Sequence, residues 1–151
     1  MTTAAASIHA ACVIIDEVAI VIRGAAGSGK SRLARRLVAL AAETGRFAVL
    51  VGDDRIHLNA VGGRVLARGH AAIAGQQEVR EIGILAVPHA VSGVVRMVVD
   101  IGAETAPRLP SGTATATLSG ISLPQLLLSP HHAAEDAARL VLTKLSLLRR
   151  G

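Results

Sequence analysis

The chain has 151 residues, enough for one domain with a substantial core, and 51% of them are apolar. The apolar residues are Ala, Val, Leu and Ile; Phe47 is the only aromatic, which disfavours modules that stack bases on aromatic platforms. The net charge of +5 is scattered apart from Arg32, Arg35 and Arg36 and the pair Arg149–Arg150, a weak nucleic-acid signal that ATP or an acidic protein patch satisfies equally; no nucleic-acid partner is expected.

In chain order, "SIHAACVII" and "VAIVIRG" read as two strands joined by a tight turn at Asp16–Glu17. Those acids break the first apolar run and Arg23 ends the second, so no run reaches membrane-spanning length. The start "MTTAAASIHA" carries no basic leader. The single cysteine, Cys12, suits a reducing cytosol and reads as a small core residue. A cytoplasmic protein without a membrane partner is expected. "SRLARRLVALAAE" predicts a helix with Leu33, Leu37 and Leu40 on one face, ended by Gly45. "RFAVLV" predicts a buried strand, and residues 53–69 a hairpin turning at Gly62–Gly63. "EVREIGILAVP" and "VVRMVVDIG" are further strands, and "RLPSGTATATLSG" encloses another. "ISLPQLLLS" is apolar but interrupted by Pro124. Ser129–Pro130 then opens a last helix, with Ser as cap and Pro in the first position. With no internal repeat and no long linker, residues 1–151 form one domain, with many strands and two substantial helices. That is not the regular alternation of a doubly wound nucleotide kinase.

Between the second strand and the first helix, Gly24-Ala25-Ala26-Gly27-Ser28-Gly29-Lys30-Ser31 matches the Walker A pattern without a gap. The glycines permit a backbone whose N–H groups converge on phosphate oxygens, and the helix adds its positive end. Lys30 reaches the β/γ-phosphates and the Ser31 hydroxyl can ligate Mg²⁺. Two strand ends offer an acid to complete the site. Asp53–Asp54 is preferred over Asp100, because adjacent carboxylates point different ways and can divide the work between metal and acceptor hydroxyl; Asp100 reads as a strand-end cap. Glu78 and Arg80 share a face if their segment is extended, either at the site or as a surface ion pair. From the residues alone His9 is a structural histidine in an apolar strand, and His57, His70, His89, His131 and His132 show no metal-ligand spacing.

Together, "IHAACVII", "GAAGSGKSRLARRLV", "LVGDDRI" and "EVREIGI" followed by "VPH" resemble, in order and spacing over residues 7–100, the catalytic domain of bacterial HPr kinase/phosphorylase. The resemblance implies an α/β P-loop fold of the phosphoenolpyruvate carboxykinase-like type, with a mixed, strand-rich sheet and few helices. It implies ATP-dependent phosphorylation of a serine on HPr, a phosphocarrier protein, with the reverse phosphorylase reaction open. Carried over by position, Lys30 holds the phosphates and Ser31 with Glu78 the Mg²⁺. Asp53 is the base for the acceptor serine and Asp54 supports metal and hydroxyl; His9 and Arg80 orient phosphoryl oxygens. The near-terminal motif strand matches the short form of alphaproteobacteria, and longer relatives imply a homo-oligomer, a hexamer. The chain departs from the family pattern at Glu81, where glycine is usual, and at Gly52, where alanine is common. The alternatives are a small-molecule P-loop kinase, against which stand the hairpin after Asp54 and the lack of an Arg-rich lid, and a nucleotide-sensing module without chemistry.

Overall fold

A computed structural model describes residues 6–102 and 114–150. Its strands are β1 (Ala6–Ile8), β2 (Ala11–Ile15), β3 (Val18–Gly24), β4 (Ala48–Gly52), β5 (Ile56–Val61), β6 (Arg64–Gly69), β7 (Gln76–Val79), β8 (Gly83–Ala86), β9 (Ser92–Ile101), β10 (Thr115–Leu118) and β11 (Ile121–Leu128). Helix α1 spans Lys30–Glu43 and α2 Ala134–Arg150. The mixed, strand-rich architecture with two long helices is the one expected from the sequence.

The main sheet runs β1-β5-β6-β9-β3-β2-β4, and β9 also pairs with β11. Strands β3 and β11 are parallel to β9, and β4, antiparallel to β2, has the same direction. Four strand C-termini therefore meet at one edge, where open α/β sheets bind ligands. The helices cover one face through Leu33, Leu37, Leu40, Val141 and Leu145, packed on Val13, Ile20, Ile22, Met97 and Val99. The other face curls over Cys12, Val21, Val51, Ile56, Leu58, Val65 and Val98, so closely that a Cβ on Gly69 would stand 2.4 Å from the Val51 carbonyl oxygen. With both faces covered, β2 is buried throughout and reads as a continuous apolar run. Cys12 is one of its core residues, its thiol pushed by burial up to about 12.

Four local expectations are corrected. His9 lies in a bend rather than inside a strand, because β1 pairs with β5 while β2 pairs with β3 and β4, and the chain must turn to change partners. The segment after Glu78 is not one strand but a separate hairpin, β7–β8, with Arg80–Ile82 in its turn. Pro124 does not interrupt its segment: it falls where β11 passes from pairing with β10 to pairing with β9. Helix α2 starts at Ala134, since Ser129 and Pro130 form a preceding turn in which the Ser129 Oγ accepts the His131 N–H at 3.2 Å. Of the segment "RLPSGTATATLSG", residues 108–113 lie outside the described residues, and β10 accounts for the expected strand.

Candidate nucleotide and phosphoryl-transfer site

The loop after β3 is a preformed cradle. Gly27 and Gly29 take φ of 80° and 102°, in the left-handed region that favours glycine. Gly24 sits in a tight place, since a Cβ there would crowd the Ser28 side chain and stand 3.0 Å from the Ile101 carbonyl oxygen. Lys30 Nζ donates to the carbonyls of Gly24 (2.8 Å) and Ala25 (3.1 Å), holding the ammonium at the loop. The first turn of α1 contains no acid, and its N-cap, Gly29, offers no side-chain acceptor. The positive helix end is thus left for an anion. The loop lines a cleft of about 420 Å³ together with Asp54, Glu78 and Arg80.

Asp53 follows β4, which is separated from β3 by β2. It still reaches the loop, because α1 packs across both β2 and β4. Ser31 Oγ donates to Asp53 Oδ1 at 2.6 Å, and the Glu78 backbone N–H to Oδ2 at 3.4 Å. Asp53 is 5% exposed. Burial raises its carboxyl above the ordinary carboxylate value, helped by the Asp54 charge and opposed by the hydrogen bonds from Ser31 and Glu78. Asp54, with φ of 74°, points outward, with its carboxylate 4.0 Å from His9 Nδ1. The Ala10 N–H bond to the Asp54 carbonyl, 3.2 Å, ties the His9 bend to this turn.

Asp100 lies in the strand next to β3 and in register with Arg23. Arg23 donates to it twice, at 2.7 and 2.9 Å, and Gln125 once, at 2.5 Å. Burial raises its carboxyl, but these hydrogen bonds outweigh burial and hold it below the ordinary value.

The structure thus brings Ala26 to Ser31, Asp54, Glu78 and Arg80 around one cleft, with Gly24 and Ala25 at the root of the loop, Asp53 buried behind Ser31 and His9 beside Asp54. Glu81, the acid in the family's glycine position, is in the hairpin turn and does not line the cleft. Sequence reasoning missed the opposite wall, Ser129, Pro130 and His132, and also Arg32 and Arg35 of α1. The only signal for the wall was its place after an apolar strand, and the Ser-Pro pair reads equally well as a helix start. His57 and His70 sit together, Nε2 to Nδ1 2.8 Å, outside the cleft lining.

The donors at the cleft are hard oxygens, from Ser31, Asp54 and Glu78, with Asp53 directly behind Ser31. Among the described residues no group of three or more His, Cys, Asp or Glu could hold a metal alone. Mg²⁺ fits such a set, because it binds through one or two protein carboxylates and completes its shell with phosphate and water.

The family model of the HPr Serine kinase C-terminal domain matches residues 2–129. The chain belongs to that family. Among solved structures it is similar to the Hpr(Ser) kinase/phosphatase from Coxiella burnetii, at 23% identity over 95% of this chain and 96% of that one, with a TM-score of 0.75. No curated protein matches. The HPr kinase catalytic-domain fold, a P-loop fold of the phosphoenolpyruvate carboxykinase-like type, accounts for the excess of strands over helices, and no described helix is long and apolar enough to cross a membrane.

Proposed function

We infer that the chain is an ATP-dependent serine kinase whose acceptor is the phosphocarrier protein HPr, acting as one catalytic domain. Family membership carries the acceptor, and the observation that carries the chemistry is the hydrogen bond between the loop's Ser31 and the buried Asp53. Phosphoryl transfer is mostly positioning and charge stabilisation. Lys30 leaves the Gly24 and Ala25 carbonyls for the β/γ-phosphates, and the loop N–H groups with the end of α1 hold the remaining oxygens. Ser31, Glu78 and Asp54 would hold Mg²⁺, which when bound neutralises phosphate charge. Asp53 already accepts a hydrogen bond from the Ser31 hydroxyl; once Ser31 turns to the metal, the same oxygen is free to accept the proton of the incoming serine. His9 and Arg80 orient phosphoryl oxygens.

A second reading is favoured by one observation: Asp53 is almost fully buried while Asp54 lines the cleft. In it Asp54, with His9 beside it, takes the serine proton and Asp53 serves the metal through Ser31. Asp53→Asn and Asp54→Asn separate the two. If Asp53 is the base, its variant binds ATP normally while transfer falls about a hundredfold or more, and Asp54→Asn mainly raises the metal requirement. The reverse pattern establishes the second reading. Neither a small-molecule acceptor nor a silent sensor accounts for a family built on serine phosphorylation. Phosphorolysis of the product by inorganic phosphate and a homo-oligomeric, hexameric state belong to the same proposal; sedimentation of the purified protein tests the latter.

A further inference from the structure

Among the described residues the β7–β8 hairpin forms a two-stranded sheet of its own, and two-stranded hairpins are marginal without something packed against them. Its register is set by Gln77↔Leu85 and Glu78↔Ile84. Gln77 is buried and Leu85 38% exposed, so that pair lies closer to the body of the molecule than Glu78 and Ile84, which share the opposite face because directly paired residues lie on one side. Glu78 lines the nucleotide cleft. Ile84, its cross-strand partner, is 70% exposed, as is Ile82 in the turn. A large exposed apolar side chain therefore stands beside a cleft carboxylate, just outside the residues that line the cleft.

We propose that Ile84, supported by Ile82, is a docking surface for the acceptor protein, receiving apolar side chains next to its target serine. This rests on the kinase reading above. The occupant follows from continuity with the site. A serine hydroxyl can reach the γ-phosphate only if its own protein lies over the cleft mouth, and the hairpin bringing Glu78 and Arg80 to that mouth is then covered by the same molecule. Small-molecule acceptors would leave both isoleucines in water; a protein acceptor removes them from it.

The test is steady-state transfer from Mg-ATP to HPr with Ile84→Ser, Ile84→Leu and, as a control on a remote exposed apolar residue, Phe47→Ser. The KM for HPr should rise about tenfold in Ile84→Ser, equivalent to about 1.4 kcal/mol. The KM for ATP and the rate at saturating HPr should stay unchanged, and Ile84→Leu and Phe47→Ser should resemble the wild type. An unchanged KM for HPr overturns the proposal. So does an equal rise in the KM for ATP, which would mean Ile84 acts through Glu78, or a changed sedimentation coefficient with unchanged kinetics, which would mean the face receives a second copy. A wild type that transfers nothing to HPr would instead remove the kinase reading itself.

Discussion

Asp53 and Asp100 occupy equivalent-looking places, each at the C-terminal end of a strand directed at the loop, and their neighbours separate them. Arg23 saturates Asp100 from the adjacent strand, so its charge is committed to joining β3 and β9. Asp100→Asn should lower stability by about 1 kcal/mol, a figure that allows for partial exposure, while ATP affinity stays within twofold of wild type; a thermal melt and a nucleotide titration check both. Its carboxyl is depressed by folding, so the stability it lends is present above the unfolded value of 3.8 and is lost as pH falls through the lower folded value. Asp53 has the opposite sign. Its folded value is raised, so the native state binds the extra proton and stability declines as pH rises through the window above 3.8. Asp53→Asn removes that buried charge, keeps an acceptor for Ser31 and gives up the long 3.4 Å bond from the Glu78 N–H, so at pH 7 its Tm should stay close to that of the wild type. In the wild type, transfer should fall on the acid side along a limb displaced upward from the ordinary carboxylate value.

Elements differ in how plainly the sequence announces them. The phosphate loop was legible because its spacing is a chemical constraint: Gly24, Gly27 and Gly29 are dictated by contact and by φ, and α1 by its Leu33–Leu37–Leu40 stripe. The β5–β6 hairpin was legible from Gly62 and Gly63, with φ of 58° and 76°. The β7–β8 hairpin was not. Its turn contains Glu81 at φ 78° in place of a glycine, and the nearby glycine, Gly83 at φ 116°, already opens β8, so the segment reads as a continuous strand. The left-handed conformation costs a non-glycine residue about 1 kcal/mol. Glu81→Gly should therefore raise stability by roughly that amount or somewhat less, glycine's greater chain entropy offsetting part of it. An unchanged or lower Tm would show that the Glu81 side chain compensates for its backbone.

Across the whole molecule the site is a product of topology that no single segment records. Asp53 and Ser31 meet because α1 crosses β2 to reach β4, and His9 meets Asp54 because the chain bends between β1 and β2. Order and spacing of motifs pointed to these residues only through a family resemblance; local patterning alone left His9 in the core and Arg80 on a strand. The wall made by Ser129 and His132 depends on β11 lying parallel to β9, a long-range pairing with no local signature. The function turns on where the phosphoryl group of ATP goes, and incubation of the purified protein with Mg-ATP and HPr, followed by intact-mass and fragment-mass analysis, reads that out. One phosphoryl group on a single HPr serine, absent when that serine is alanine and absent with Lys30→Ala kinase, is the predicted result. ATP binding without any transfer to HPr would contradict it.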